Sequence, residues 1–397
     1  MEKRFVYADN AATTPLDPRV LEKMMPYLTE IYGNPSSVHQ AGQRAKAAVD
    51  EARKVIADCI GAEPGEIYVT AGGSESDNWI IKELAAKNLR RGKTPHIIST
   101  AFEHHAVLHS LEESGAEVTL LPVYENGIVK PEDLEAAIKE NTVLVTVMFG
   151  NNEIGSIQPI KELAEITHKH KGVIFHTDAV QALGHVPINV KEMGIDAMSF
   201  SAHKFNGPKG IGGMYMRKGI ILPNLISGGG QEKGKRAGTE NPAGIVGMAE
   251  ALKLACENMD ENTKKVTALR DKLINGILEK IPYARLNGDR TCRLPGNVNV
   301  SIPFIEGESL LLWLDINGIC ASSGSACTSG SLDPSHVLLS IGLTHEIAHG
   351  SLRFSLAHTN SEEDVDYILE TLPGIVQRLR DMSPLWDTFV KNNGKEK

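Results

Sequence analysis

The 397-residue chain has no pair of cysteines spaced as CxxC, and its five cysteines (Cys59, Cys256, Cys292, Cys320 and Cys327) are scattered and odd in number. That speaks against a disulfide framework and against a thiolate zinc site, and free thiols fit a reducing compartment. No apolar run approaches the roughly 20 residues of a membrane helix, and the opening MEKRFVYADN lacks an apolar core of signal-peptide length. The expectation is a cytoplasmic protein with no membrane partner. Basic residues form no long block and the formal net charge is −9, which argues against non-specific binding to nucleic acid. No internal repeat or low-complexity segment is evident.

What remains is an ordinary soluble composition, 41% apolar and 23% charged, in a chain long enough for two or three domains. Residues 1–16 read as irregular. Asp17 and Pro18 open a helix expected to run to about Tyr32, and apolar positions at helical spacing predict another from Gln40 to Ile60, closed by Gly61. Short apolar runs then alternate with helical segments: Ile67 to Thr70, Ile97 to Thr100, Val118 to Leu121, Val143 to Met148, Val173 to Thr177, Ala197 to Ser201 and Ile211 to Met216. This alternation predicts an α/β fold, a mostly parallel sheet covered by helices on both faces. From about Pro242 the pattern changes to two long helical stretches, then strand-like runs at Asn297 to Ile302 and Ser351 to Ser355 and a last helix from Glu362 to Arg380. The expected division is a large domain over residues 15–255 and a smaller α+β domain built from residues 1–14 and 256–397. The tail KNNGKEK is expected to be disordered.

Ligands of a parallel sheet bind beyond the carboxyl ends of its strands, so the residues after each run are the ones to read. Lys204 lies between the run Ala197 to Ser201 and a turn containing Gly207, Pro208 and Gly210. A lysine amine is a nucleophile when it is held out of bulk water, but most lysines are solvated surface charges, so this reading depends on partners from distant segments. AGGSESDN (Ala71 to Asn78) brings Gly73 and Ser74 to a helix start near Glu75, an anion site suited to phosphate if it is more than a capped glycine turn. His104 and His105 stand at another helix start, where one can stack on a flat ring or move protons, or simply cap the helix. Asn151 and Asn152 are candidate amide donors or turn formers, and Asp178 is a carboxylate at the end of a buried strand, which needs a cation unless it caps a helix. A strand-end lysine, a phosphate nest, a carboxylate and a ring stacker together match the needs of pyridoxal phosphate.

The ordered motifs DNAATT, YGNPSSVH, GGSES, EHHAVL, NNEIG, HTDAVQ, SAHKFNGPKGIG, RAGTEN, SSGSACTSGS and LRFS resemble those of the cysteine desulfurases that serve iron-sulfur cluster and nitrogenase assembly, and the resemblance extends to about Leu385. It implies fold type I of the pyridoxal phosphate enzymes, with Lys204 bonded to the cofactor, Asp178 on its ring nitrogen, His104 stacked on the ring and moving protons, and Gln181 on the ring hydroxyl. Gly73, Ser74, Ser201 and His203 would hold the phosphate, together with Thr239 of a neighbouring subunit, which implies a homodimer. Asn152 would contact both cofactor and substrate, and Asn34 and Arg353 would orient the substrate L-cysteine. Cys327 would receive the sulfur as a persulfide, for an iron-sulfur scaffold protein or another acceptor, leaving L-alanine. No resident metal is implied, though Cys327 would serve as a transient iron-sulfur ligand with a scaffold. Two departures are visible: Gly73-Ser74 replaces the alanine-serine or alanine-threonine often found at the phosphate turn, and the tail after SPLW is short where housekeeping members dock their scaffold.

The segment Ala321 to Ser335 has its own physical reading. It is rich in serine, contains Gly324 and Gly330, and carries no lysine, arginine or histidine. A small polar loop of this kind predicts mobility, gives Cys327 little to pack against, and leaves activation of its thiol to neighbours in the fold or to the substrate complex. The other four cysteines read as structural. A selenocysteine lyase would use the same constellation, an aminotransferase of this fold would not need Cys327, and a non-enzymatic cluster carrier would need clustered thiols.

Overall fold

The computed structural model describes residues 4–323 and 334–393. Its strands, in chain order, are β1 (Val6–Tyr7), β2 (Ile67–Thr70), β3 (His96–Thr100), β4 (Glu117–Leu121), β5 (Thr142–Thr146), β6 (Ile174–Asp178), β7 (Ala197–Ser201), β8 (Gly212–Met216), β9 (Arg285–Leu286), β10 (Asn297–Ser301), β11 (Ile319–Cys320) and β12 (Ser351–Ser355). Seven of them form one sheet in the order β2-β8-β7-β6-β5-β3-β4. The pairs from β7 through β6, β5 and β3 to β4 are parallel, and β8 runs antiparallel to both of its neighbours.

Alternation within each strand explains why the runs read as continuously apolar. Ile97, Leu144, Ala197 and Met214 point to one core with the helices Gly73–Leu89 and His105–Glu112. Their neighbours Ile98, Val145, Met198 and Tyr215 point to another with the helices Gln40–Ile60, Ile160–His168 and Pro242–Glu257. A sheet buried on both faces has no polar side to alternate with. Gly61 closes the Gln40–Ile60 helix in the left-handed region at φ 73°.

A third core, here the carboxy-terminal core, lies under the antiparallel sheet β12-β10-β9 and the helices Met259–Lys280, Gly307–Ile316 and Glu362–Asp381. The amino-terminal segment is not wholly irregular. Val6 and Tyr7 pair in parallel with Ile319 and Cys320, and Val6 and Ala8 pack into this carboxy-terminal core. The helix expected from Pro18 to Tyr32 is two short ones, Pro18–Met24 and Pro26–Thr29, because Pro26 has no N–H with which to continue the ladder. The described part of the tail is helical to Asn393, at the end of Pro384–Asn393, rather than disordered from Lys391. Among the described residues, no helix is long and apolar enough to cross a membrane.

Candidate active site

Strands β2, β3, β5, β6 and β7 deliver their following residues to one cavity of about 790 Å³. It is lined by Gly73, Ser74, His104, Asn152, Asp178, Gln181, Ser201, His203, Lys204 and Arg353, and also by Asp77, Val180 and the Ala11–Thr13 segment. Of the residues singled out in the sequence, ten therefore meet here.

Lys204 ends the short turn Ala202–Lys204 that follows β7, half-buried, and its Nζ donates to the carbonyls of Ala11 at 2.5 Å and Ala12 at 2.8 Å. The irregular segment 11–14 is itself pinned to the turn, since Thr14 Oγ1 donates to the His203 carbonyl at 2.9 Å and accepts from Asn206 N–H at 2.9 Å. Asp178 ends β6. Its Oδ1 accepts the Val180 N–H at 2.9 Å, and burial raises its pKa to about 6 against the opposing pull of that N–H and of the Lys204 charge. Gln181 reaches the Ala11 carbonyl through Nε2 at 2.9 Å.

His104 caps the helix His105–Glu112: its Nδ1 accepts the Ala106 N–H at 3.1 Å. Burial first, and the Lys204 charge second, push the ring down to about 4, so it is neutral near pH 7. A ring whose Nδ1 accepts carries its proton on Nε2. His203, with Nδ1 3.0 Å from Thr13 Oγ1, is likewise held neutral by burial, at about 4.

Gly73 and Ser74 open the helix Gly73–Leu89, whose first turn has N–H groups without intrahelical partners. A β-carbon on Gly73 would stand 2.4 Å from Val180 Cγ2, so the glycine and the valine are matched. Glu75, which would repel an anion there, is occupied by Arg236 Nε at 2.8 Å. Arg353, 2% exposed in the middle of β12, donates through Nη1 to the Asn152 carbonyl and through Nη2 to Asp9 Oδ1, each at 3.0 Å. Its Nε and the Asn152 Oδ1 are buried and have no hydrogen-bond partner among the described residues. Asn151 is a turn former rather than a cavity donor: its Oδ1 accepts the N–H groups of Glu153 and Ile154.

Two sequence candidates lie elsewhere. Thr239 lines a separate hollow of about 180 Å³ with Arg236, Gly238 and Glu240, and Asn34 is exposed, its Oδ1 accepting from Ser36 N–H. Cys327 lies outside the described residues. The flanks of its segment are tied to the site: Ser322 exchanges backbone bonds with Arg353, and Ser335 Oγ donates to Glu153 Oε2 at 2.5 Å. Sequence reading missed Asp77 and Val180. Asp77 lies three residues after Ser74, hence on the same helix face, which was the available signal.

The description Aminotransferase class-V matches residues 6–368 of the chain. The chain belongs to this family. A Clostridium botulinum member named cysteine desulfurase IscS is 57% identical over 392 residues, 98% of each chain. A Methanosarcina thermophila protein of the same name is 55% identical over 387 residues, 97% of this chain and 95% of that one. A solved NifS-like protein matches with a TM-score of 0.88 at 40% identity, covering 95% of this chain and 100% of the other. The fold is type I of the pyridoxal phosphate enzymes. The cavity fits that cofactor: an amine on its wall, a strand-end carboxyl, a neutral imidazole and the first turn of a helix face one space, with the buried Asn152 Oδ1 beside it.

Proposed function

We propose that this cavity is where the protein desulfurates L-cysteine, with Lys204 bonded to pyridoxal phosphate and Cys327 receiving the sulfur. The protein is a pyridoxal phosphate-dependent cysteine desulfurase. The observation that carries the site assignment is the convergence of Lys204, Asp178 and His104, from the ends of three different strands, on one cavity.

Gly73 and Ser74, with Ser201 and His203, would hold the phosphate, Asp178 the ring nitrogen and Gln181 the ring hydroxyl, and neutral His104 would stack on the ring. When bound, the cofactor supplies an electron sink for the pair released as the substrate loses its α proton. Lys204 moves that proton. His104 is suited to donating a hydrogen bond through Nε2–H, since its Nδ1 is committed to Ala106. Arg353 grips the substrate carboxylate, held in place by Asp9, and Asn152 orients the substrate through its unpaired Oδ1. The Cys327 thiolate attacks the substrate sulfur: the new S–S bond forms as the carbon–sulfur bond breaks, the electron pair stays on carbon, and protonation gives L-alanine. Thiol and cysteine become persulfide and alanine, with no external oxidant.

A homodimer accounts for Thr239 and Asn34, which a single chain leaves outside its own cavity. Leu21, Met25, Leu28, Tyr32 and Val38 form an exposed apolar surface along residues 18–38, Tyr32 at 78% and Val38 at 93%, as expected of a face that another copy covers. An iron-sulfur scaffold in the cytoplasm is the sulfur acceptor this reading favours.

The test is chemical. Purified protein with cofactor should be yellow, and borohydride should bleach it and leave a reduced adduct on the peptide containing Lys204, which Lys204→Ala lacks. A protein that remains colourless in excess pyridoxal phosphate would overturn the assignment.

A further inference from the structure

Two carboxyl groups from different elements face the cavity floor. Asp178 comes from the end of β6, and Asp77 from the helix Gly73–Leu89 that crosses above it; they are 5% and 1% exposed. Asp77 Oδ1 is buried with no hydrogen-bond partner among the described residues, and its nearest ring nitrogen, His176 Nε2, is 3.8 Å away. That histidine offers no charge. Its Nδ1 lies 2.8 Å from Thr146 Oγ1 and its Nε2 2.9 Å from Ser199 Oγ, and burial pushes it down to about 3.

We propose that Asp77 is kept as a neutral acid beside Asp178, so that the cavity floor holds one proton across two carboxyl groups and presents a single negative charge to the cofactor ring. Asp77 is then a positioning residue that determines where the charge sits. The proposal builds on the assignment of Asp178 to the ring nitrogen.

The surroundings decide which member carries the proton. Asp178 has the Val180 N–H on its oxygen and the Lys204 charge nearby, both favouring the ionised form. Asp77 meets Asp178, Glu103, His176 and Ser199. Burial raises it most and the Asp178 charge next, the Ser199 hydroxyl opposes, and Glu103 adds to the rise only where it is itself ionised. Glu103, itself raised to about 8 by burial, takes the Thr100 hydroxyl and the Met148 N–H. A carboxylate oxygen buried without a partner is far more costly than the carbonyl oxygen of a neutral acid. Two like charges sharing one dry site separate into two titration steps that belong to the pair.

The sign of the pH dependence follows. Asp77 is neutral when folded and ionised above pH 3.8 when unfolded, so the wild type loses stability as pH rises beyond that value. Asp77→Asn imitates the neutral acid and removes the loss. Its melting temperature should exceed that of the wild type by a margin that grows with pH and vanishes below pH 3.8. The direct readout is infrared spectroscopy of protein labelled with [4-¹³C]aspartate, which leaves Glu103 silent. At neutral pH the wild type, with and without cofactor, should show an isotope-shifted protonated-carboxyl band that Asp77→Asn lacks. In Asp178→Asn the band should titrate at lower pH, because the like charge is gone. No such band in the wild type, a band retained in Asp77→Asn, or a variant destabilised equally at every pH would each overturn the proposal. The wild-type spectrum alone decides if the variants fail to fold. These outcomes are independent of borohydride labelling at Lys204, so the two readings fail separately.

Discussion

Gly73 and Val180 meet where the turn after β2 crosses the loop after β6, with no room for a β-carbon between them: the added atom would stand 2.4 Å from Val180 Cγ2. Gly73→Ala should therefore cost about 1–3 kcal/mol, read as lowered melting temperature, weaker cofactor binding, or both as the helix start shifts. Val180→Ala opens the space, so the double variant should recover most of the loss. Purely additive effects in the four-protein cycle, or a harmless Gly73→Ala, would count against the match.

The tie between Ser335 and Glu153 anchors the far flank of the Cys327 segment. Glu153 is fully buried and burial raises it from 4.5 to about 7, with the Ser335 hydroxyl and the Arg353 charge opposing. A raised acid contributes stability that is complete below pH 4.5 and is lost as pH climbs through about 7. Glu153→Gln should gain on the wild type across that window, by about 3 kcal/mol at most. Ser335→Ala should slow alanine release while cofactor absorbance stays the same. Equal loss of both would mean the tie serves the fold and not the sulfur step.

Much of this layout is legible in the residues. β2, β7 and β12 match their strand-like runs residue for residue. Asp178 extends β6 one residue beyond its apolar run, since the ladder to Ser199 continues through a polar side chain. β1, β9 and β11 were invisible: each has two residues, and Val6 is paired by Ile319, far along the chain. Local pattern carries no trace of such a partner. In the site, Asp77 went unread because acids early in a helix ordinarily complement its dipole, whereas here the side chain is buried and lines the same cavity as Asp178. Thr239 and Asn34 mark the opposite limit, since both stand in recognisable motifs yet lie outside the cavity of their own chain.

Arg353 should govern substrate affinity and not cofactor affinity. Arg353→Lys keeps the positive charge but loses the planar fork. The expected result is a fall in kcat/KM for L-cysteine of about ten- to hundredfold, from a charge-assisted contact of about 1.5–3 kcal/mol, with cofactor titration unchanged. A kcat/KM close to that of the wild type would remove Arg353 from the carboxylate.

Shared sites in a dimer can be tested by mixing. Lys204→Ala and Thr239→Val chains, combined under conditions of demonstrated subunit exchange, should yield hybrids with one site free of both lesions. Cofactor affinity should return in that fraction. Exchange without recovery would show that each chain completes its own site.

The most direct measurement of the central claim is the intact mass of the protein after incubation with L-cysteine. The wild type should carry one added sulfur per chain, removed by reductant and mapping to the peptide that contains Cys327. Cys327→Ser should bind cofactor and L-cysteine yet gain no sulfur and release no alanine, because a hydroxyl is a far poorer nucleophile toward sulfur than a thiolate. Alanine release by Cys327→Ser at the wild-type rate, or the added sulfur on a different cysteine, would contradict the account.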